Sequence, residues 1–253
     1  MQNTMVSGRQ RDQELAKALK LARARKLAKE KEIDEACAAD PLGWLTQHTK
    51  TRDDHWLEKR TSPFAHFPHE PYMDFLFWRL KNGSQILVAK SRDLMVTWAV
   101  MGYCVWEAQF HGPAGIIIQC QTELKVVDLV GGRERLGYCA TLYQQQDDFL
   151  RYMHPLTKPL SEFASDLLAW ENGSTIRGVP SGADVVRQWH PRIFVVDVAG
   201  FVDGFEGSWG AALPVATKLI AVSSASASVF GDWCQELLVA LGKRLSELVK
   251  DAE

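Results

Sequence analysis

The residues that could do chemistry begin at Lys90. The stretch around it reads QILVAKSRDLMVTW. Residues 86–89 are an apolar run with the length of a buried strand. Lys90, Ser91, Arg92 and Asp93 form a small polar turn, and residues 94–110 are a mostly apolar segment of helical length. Strand, tight turn and helix is a geometry in which a helix N-terminus and a basic side chain hold a phosphate. The usual phosphate-loop text GxxxxGK[ST] is missing. An ordinary strand-to-helix turn with a surface lysine therefore fits the same local text. A hydroxyl, Thr97, lies in the first turns of the helix. Farther along, the apolar run RIFVVD ends in Asp197, and KLIAVSS ends in Ser223 and Ser224.

Phosphoryl transfer from ATP to water asks for these residue types. It needs a cation on the terminal phosphates, a hydroxyl and an acid to place magnesium, and a group that handles the attacking water. Lys90 supplies the cation, and Arg92 adds a fork of donors. Thr97 and Asp197 suit the magnesium side. Ser223 or Ser224 can sense the terminal phosphate. The turn from Lys90 through Ser91, Arg92, Asp93, Leu94, Met95, Val96 and Thr97 would wrap the phosphates. Phe67 and Tyr72, just ahead of the first core strand, are candidates to pack on a base. Each assignment is common taken alone, so the case rests on order along one sheet.

The elements that position these residues follow from periodicity. Apolar runs at 86–89, 115–120, 192–197 and 218–224 alternate with helical segments. That alternation predicts an α/β fold with a mostly parallel sheet flanked by helices. Such sheets bind ligands outside the carboxyl ends of their strands, where Lys90, Gln119, Asp197 and Ser223 fall. A helix is predicted over 11–38, with Leu15, Leu19, Ala22 and Leu27 as a thin apolar stripe. Residues 11–31 hold eight basic and three acidic residues, which fits a solvated helix or a contact with nucleic acid or protein. Asp40-Pro41 is a break, giving an N-terminal helical extension, 1–40, and a main domain, 41–253. Thr51 is read as a helix cap ahead of Asp53 and Asp54. A helix over 70–80 ends at Asn82-Gly83. The segment 121–144 reads as one helix weakened at Gly131-Gly132. Residues 147–165 read as irregular, and Asn172-Gly173 marks a hairpin between 167–170 and 174–178. Residues 202–212 form a helix or loop-helix, and 232–249 a terminal helix.

The chain has 253 residues, 46% of them hydrophobic, with a formal net charge of -2. It is long enough for a large core, and a near-neutral total leaves room for a local basic patch. Five widely spaced cysteines without a CxxC pair exclude a disulfide scaffold and a structural zinc site, and fit a reducing compartment. The polar N-terminus is not a signal peptide, and no apolar stretch spans a bilayer.

Five separated segments, in order, resemble the ATPase domain of the large terminase subunit of tailed bacteriophages, the motor that packages DNA. GWLTQHTKTRDDHW and HFPHEPYMDFLFWRL resemble the approach to that family's phosphate loop, and ILVAKSRDLMVTW the loop. IIIQCQTELKVVDLV resembles the next strand and helix. SGADVVRQWHPRIFVVDVAGF resembles the Walker B strand, and KLIAVSSASASVF the coupling motif. The resemblance covers 43 to the end and implies a P-loop NTPase of the RecA-like, ASCE type. It implies Lys90 as the phosphate-loop lysine moved to the start of the loop, with Val96 in the usual lysine position. Thr97 becomes the magnesium hydroxyl and Asp197 the Walker B aspartate. It also implies an arginine that completes the site, with Arg133, Arg135 and Arg187 as candidates. ATP and magnesium are the implied cofactors. Implied partners are double-stranded DNA, held by its backbone without base reading, the portal protein and the small terminase subunit. The motor would be a ring-forming homo-oligomer in the host cytoplasm, away from membranes, and the isolated domain can be monomeric.

Three departures matter. Where the family has Asp-Glu-Ala, this chain has Asp197-Val198-Ala199. Valine has no proton acceptor and cannot polarise water. The chain thus reads as an inactivated variant that traps ATP, as a divergent enzyme using Asp203 or Glu206, or as a binder without turnover. Ser226-Ala227 stands where this group often has Asn-Pro, which weakens the coupling motif. The sequence stops at Glu253, so the family's nuclease domain and its clustered carboxylates are not expected here. Another translocase or helicase, or a non-catalytic nucleotide- or DNA-binding module, are the competing classes. A redox or metal enzyme is excluded by the lack of GxGxxG, paired cysteines and HxxE spacing.

Overall fold

The fold is described from a computed structural model covering residues 8–52, 56–59, 62–92, 94–132, 136–182, 186–224 and 227–250. The chain divides into two compact units, one ending at Asp40 and the other starting at Pro41. The first is the helix α1 (Gly8–Ala39), rich in Ala, Leu, Lys and Arg. Its Leu15, Leu19, Leu21 and Leu27 are exposed, and Lys26–Glu30 and Lys31–Glu35 pair one turn apart on its surface.

The second unit is a mixed α/β domain. Its short leading elements are α2 (Pro41–Gln47), β1 (Thr51–Arg52), α3 (Trp56–Lys59), β2 (Phe64–Ala65) and α4 (Pro71–Asn82). The sheet strands are β3 (Gln85–Lys90), β4 (Gly115–Gln119), β5 (Leu167–Ala169), β6 (Thr175–Val179), β7 (Ile193–Asp197) and β8 (Lys218–Ser224). They form one six-stranded sheet in the order β3-β8-β7-β4-β6-β5. All neighbours are parallel except β5 and β6, the antiparallel hairpin across Asn172-Gly173. The remaining helices are α5 (Val96–Phe110), α6 (Glu123–Leu129), α7 (Tyr138–Gln144), α8 (Asp148–Met153), α9 (Phe205–Ala212) and α10 (Val229–Lys250).

The expected α/β fold, with a mostly parallel sheet between helices, is the observed one. Burial explains it. β7 is buried at every residue, as a parallel strand covered on both faces must be. On one face, Ile117, Val196 and Ala221 pack with Phe205, Trp209 and Phe230 of α9 and α10. α5 is apolar all round and buried along nearly its whole length. Where α5 ends, Glu107 accepts from the Tyr103 hydroxyl at 2.6 Å and pairs with Arg192 at 3.0 Å. The Lys218 ammonium donates to the last carbonyls of α4, at Leu80 and Lys81, which closes that helix end.

Several local expectations are corrected. The segment 121–144 is two helices, α6 and α7. Gly131 lies between them at φ 61, in the left-handed region that ends a helix. Thr51 does not cap a helix. It lies in β1, paired with Ala65, and its hydroxyl donates to the Ala65 carbonyl at 3.4 Å. Asp53, Asp54 and His55 fall outside the described residues. The supposedly irregular 147–165 contains α8 and a 3-10 turn, Leu160–Glu162.

α6 can lie close to β6 because Gly178 has no side chain. A Cβ there would sit 2.1 Å from Val126 Cγ1 and 3.1 Å from Val130 Cγ2. Both neighbours are β-branched and stiff. Gly178→Ala should therefore destabilise the domain by about 1–3 kcal/mol, the range for overpacking. Urea denaturation should show a lower midpoint with an unchanged slope.

Candidate functional site

The sheet order brings the sequence-predicted residues to one edge. β3, β8 and β7 are adjacent and parallel, so Lys90, Ser223 and Asp197 all stand at carboxyl ends. Lys90 is the partner of Ser224 and Asp197 the partner of Val222. Lys90 is half-buried and ends β3, and Ser91 and Arg92 beyond it are exposed. Asp93 lies outside the described residues. The turn closes through Leu94 and Met95 into α5. Met95, at φ 53, is in the left-handed region, and no side chain caps the first amides of α5. Those N–H groups are the orphan donors of a helix start, next to a lysine.

Thr97, in the first turn of α5, donates its hydroxyl to Asp197 Oδ1 at 3.0 Å, across 100 residues of chain. Asp197 is 5% exposed. Burial pushes its carboxyl up to about 6. The Thr97 hydroxyl, the positive charges of Lys90 and Lys125, and the Val198 N–H pull the other way. Cys120, at the end of β4, is pushed up to about 11 by burial and by the negative charge of Asp197. Lys125 was legible only as one more surface lysine. Its electrostatic reach to Asp197 comes from α6, which starts at the Thr122 cap just beyond β4.

Val198 follows Asp197 at φ 60 and ψ 41. A β-branched residue in the left-handed region is a genuine outlier, and the conformation costs roughly 1–2 kcal/mol. It turns the chain sharply into the 3-10 helix Ala199–Phe201. The Gly200 N–H donates to the buried Ser223 Oγ at 3.1 Å. Ser223 thus holds the turn after Asp197 from the neighbouring strand. Asp203 and Glu206 are exposed beyond it and line a cavity of about 400 Å³ with Gly200 and Ser228.

Tyr72 and Phe67 part company. The Tyr72 hydroxyl donates to the Leu94 carbonyl at 2.9 Å. Its ring lines a groove of about 1080 Å³ that follows β3 from Gln85 to Lys90 between α4 and α10. Phe67 is 3% exposed, so it turns no free ring face to a ligand, and its expected role in base packing is corrected. Arg187 is exposed. Arg133 and Arg135 lie outside the described residues, as do Ala225 and Ser226.

The donor set suits a hard cation held jointly with a ligand. Among the described residues no three His, Cys, Asp or Glu gather into a metal cage. One carboxylate and one hydroxyl in contact, beside two lysines, instead match a magnesium site that keeps waters and borrows phosphate oxygens. No helix among the described residues is long and apolar enough to cross a membrane.

Burial of Asp197 fixes the sign of a pH effect. Its folded-state value lies above the ordinary 3.8, so between those values the folded form holds a proton that the unfolded form has lost. Stability from this group is full below about pH 4 and falls as pH rises through about 6. Asp197→Asn removes the charge to be buried. It should be more stable than the parent at pH 8 by up to roughly 3 kcal/mol, with the gap closing by pH 4. Urea titrations at the two pH values check this.

No protein-family model matches the chain, and no curated protein matches it. Two solved structures are similar in fold. One is the large terminase ATPase domain of Thermus phage P74-26, at 12% identity and a TM-score of 0.39, covering 64% of this chain and 67% of that one. The other is a mutant of that same domain, at 14% identity and 0.38, covering 65% and 68%.

Proposed function

We propose that residues 41–253 bind ATP with magnesium and hydrolyse it slowly, with residues 1–40 as a helical extension. In this reading the chain is an ATPase of the kind that drives double-stranded DNA into a viral procapsid. The observation that carries it is the Thr97–Asp197 hydrogen bond at 3.0 Å. It joins the helix after the lysine turn to the end of a buried strand, and supplies the hydroxyl and acid that phosphoryl transfer needs. The uncapped start of α5 beside Lys90 supports phosphate binding.

Roles follow by position. Lys90 and Arg92 neutralise the terminal phosphates, with amides of the 91–97 turn around them. Thr97 and Asp197 hold the metal, which when bound neutralises charge on the phosphates and aligns them for in-line attack. Tyr72 fixes Leu94 and offers its ring to the base. Arg187 is the described candidate for the arginine that completes the site, and Arg133 and Arg135 are the others. The packaging assignment rests on the order of the five sequence segments. It brings double-stranded DNA, a portal protein, a small terminase subunit, ring assembly and the host cytoplasm as expected context.

Val198 favours a second reading, binding without turnover. It stands where the catalytic glutamate of the resembled family stands, and offers no acceptor. Asp203 and Glu206 are the nearest alternatives in sequence, on the exposed side of the turn.

Two measurements on one set of variants decide between the readings. Binding of a fluorescent ATP analogue should weaken at least tenfold in Lys90→Ala. Val198→Glu should leave that affinity within about threefold and raise phosphate release roughly 10²–10⁴-fold, the worth of a general base. Binding that ignores Lys90→Ala would make the turn an ordinary strand-to-helix connection and overturn the proposal.

A further inference from the structure

Gln119 is the last residue of β4, beside β7. It is the register partner of Val196, and side chains alternate between faces along a strand. Gln119 therefore shares a face with Val196 and with Ile117 and Ala221, the face opposite Asp197. Ser223 lies on that same face of β8, under the turn that Val198 begins. The end of β7 is thus flanked on this face by a hydroxyl on one side and a carboxamide on the other.

The carboxamide is half used. Gln119 is fully buried at 0% exposure. Its Nε2 donates to the Pro180 carbonyl at 3.1 Å and the Gly182 carbonyl at 3.2 Å. Two carbonyls on one side fix which end is nitrogen, because only the NH₂ can face both. Oε1 must face the other way, and it meets no donor among the described residues. A buried acceptor without a donor costs about 1–3 kcal/mol, and an ordered water is the usual remedy. The loop that fixes the amide is itself tied down, since the Ser181 hydroxyl donates to the Gln121 carbonyl at 3.3 Å.

We infer that Gln119 orients the attacking water in the hydrolysis proposed above, in place of the acceptor that Val198 lacks. The inference rests on that reading of the site. In the step, the water oxygen bonds to the terminal phosphorus as the bond from that phosphorus to the bridging oxygen breaks. The bridging oxygen leaves with the electron pair on the diphosphate. The water's proton passes to an oxygen of the departing phosphate, because a carboxamide accepts a hydrogen bond but takes no proton. A side-chain amide is known to suffice for orienting water in nucleotide hydrolysis, and it gives slow turnover rather than none.

Two substitutions separate this role from the loop tie. Gln119→Met loses both the acceptor and the donor. Gln119→Glu keeps an acceptor but loses the donation to Pro180 and Gly182. Phosphate release and affinity for a fluorescent ADP are measured on both, on the parent and on Lys90→Ala, with melting temperature as the folding control. The expected result is turnover in the parent above Lys90→Ala, a loss of at least tenfold in Gln119→Met, and parent-level or faster turnover in Gln119→Glu, with affinity unchanged throughout. Equal losses in the Met and Glu variants would make the residue a loop tie and overturn the inference. So would parent turnover no faster than Lys90→Ala. If Gln119→Met does not fold, loss of turnover in a Gln119→Glu protein that still binds ADP overturns it, and retention supports it. Failure of the parent to bind ADP would instead sink the nucleotide reading on which the inference stands.

Discussion

A carboxylate taken out of water has to be held by partners, and Asp197 is the group around which this domain is arranged. It ends a strand whose every residue is buried, so its environment is set by the sheet and not by solvent. Only one side-chain hydroxyl reaches it, that of Thr97, and its carboxyl still lies above the ordinary range. The carboxylate is therefore under-compensated in the protein alone. A site with too little positive charge for its acid gains when a cation arrives, since opposite charge favours the ionised form. Asp197 costs stability in the ligand-free protein and gains it back on metal binding, the usual trade of a functional group against fold stability.

Two left-handed residues face each other across that contact. Met95 precedes α5, and Val198 follows Asp197. Neither is glycine, and each sits where the chain leaves one element to begin the next. Strain of this kind persists only where surrounding structure imposes it. Here α5 is buried almost throughout and β7 entirely, so both ends are anchored by packing and the short turns absorb the mismatch. The same rigidity keeps Thr97 within hydrogen-bonding reach of a residue 100 positions away.

The strands and their order were legible because each is a short, fully apolar run, and a parallel sheet covered on both faces leaves that signature. Lys90, Thr97 and Asp197 were legible for the same reason, since they stand where such runs end. Residues whose part depends on a neighbouring strand were less so. Lys125 acquires meaning only when α6 follows β4 back over the sheet, and the half-satisfied amide of Gln119 is a fact of register that no spacing displays. Phe67 and Tyr72 look alike in an aromatic loop, yet one is in the core and the other lines a groove. Thr51 misled because a hydroxyl before two acids is a good helix cap, while a two-residue pairing with Ala65 takes it as a strand. The 121–144 segment misled because helical periodicity continues across Gly131, whose backbone does not.

The geometry also separates binding from turnover. Contacts to phosphates would come from Lys90, the turn amides and the Asp197–Thr97 pair, none of which involves the residue after Asp197. Replacing a general base with an apolar side chain forfeits roughly 10²–10⁴ in rate, or about 3–5 kcal/mol of barrier. It leaves ground-state contacts unaltered. A carboxamide nearby can recover the orientational share of that loss, because holding water in line needs an acceptor and no change of protonation. It cannot recover the share due to proton removal. A site built from Asp197, Val198 and Gln119 is therefore consistent with a protein that holds nucleotide firmly and turns it over slowly, with the rate limited by where the water's proton can go.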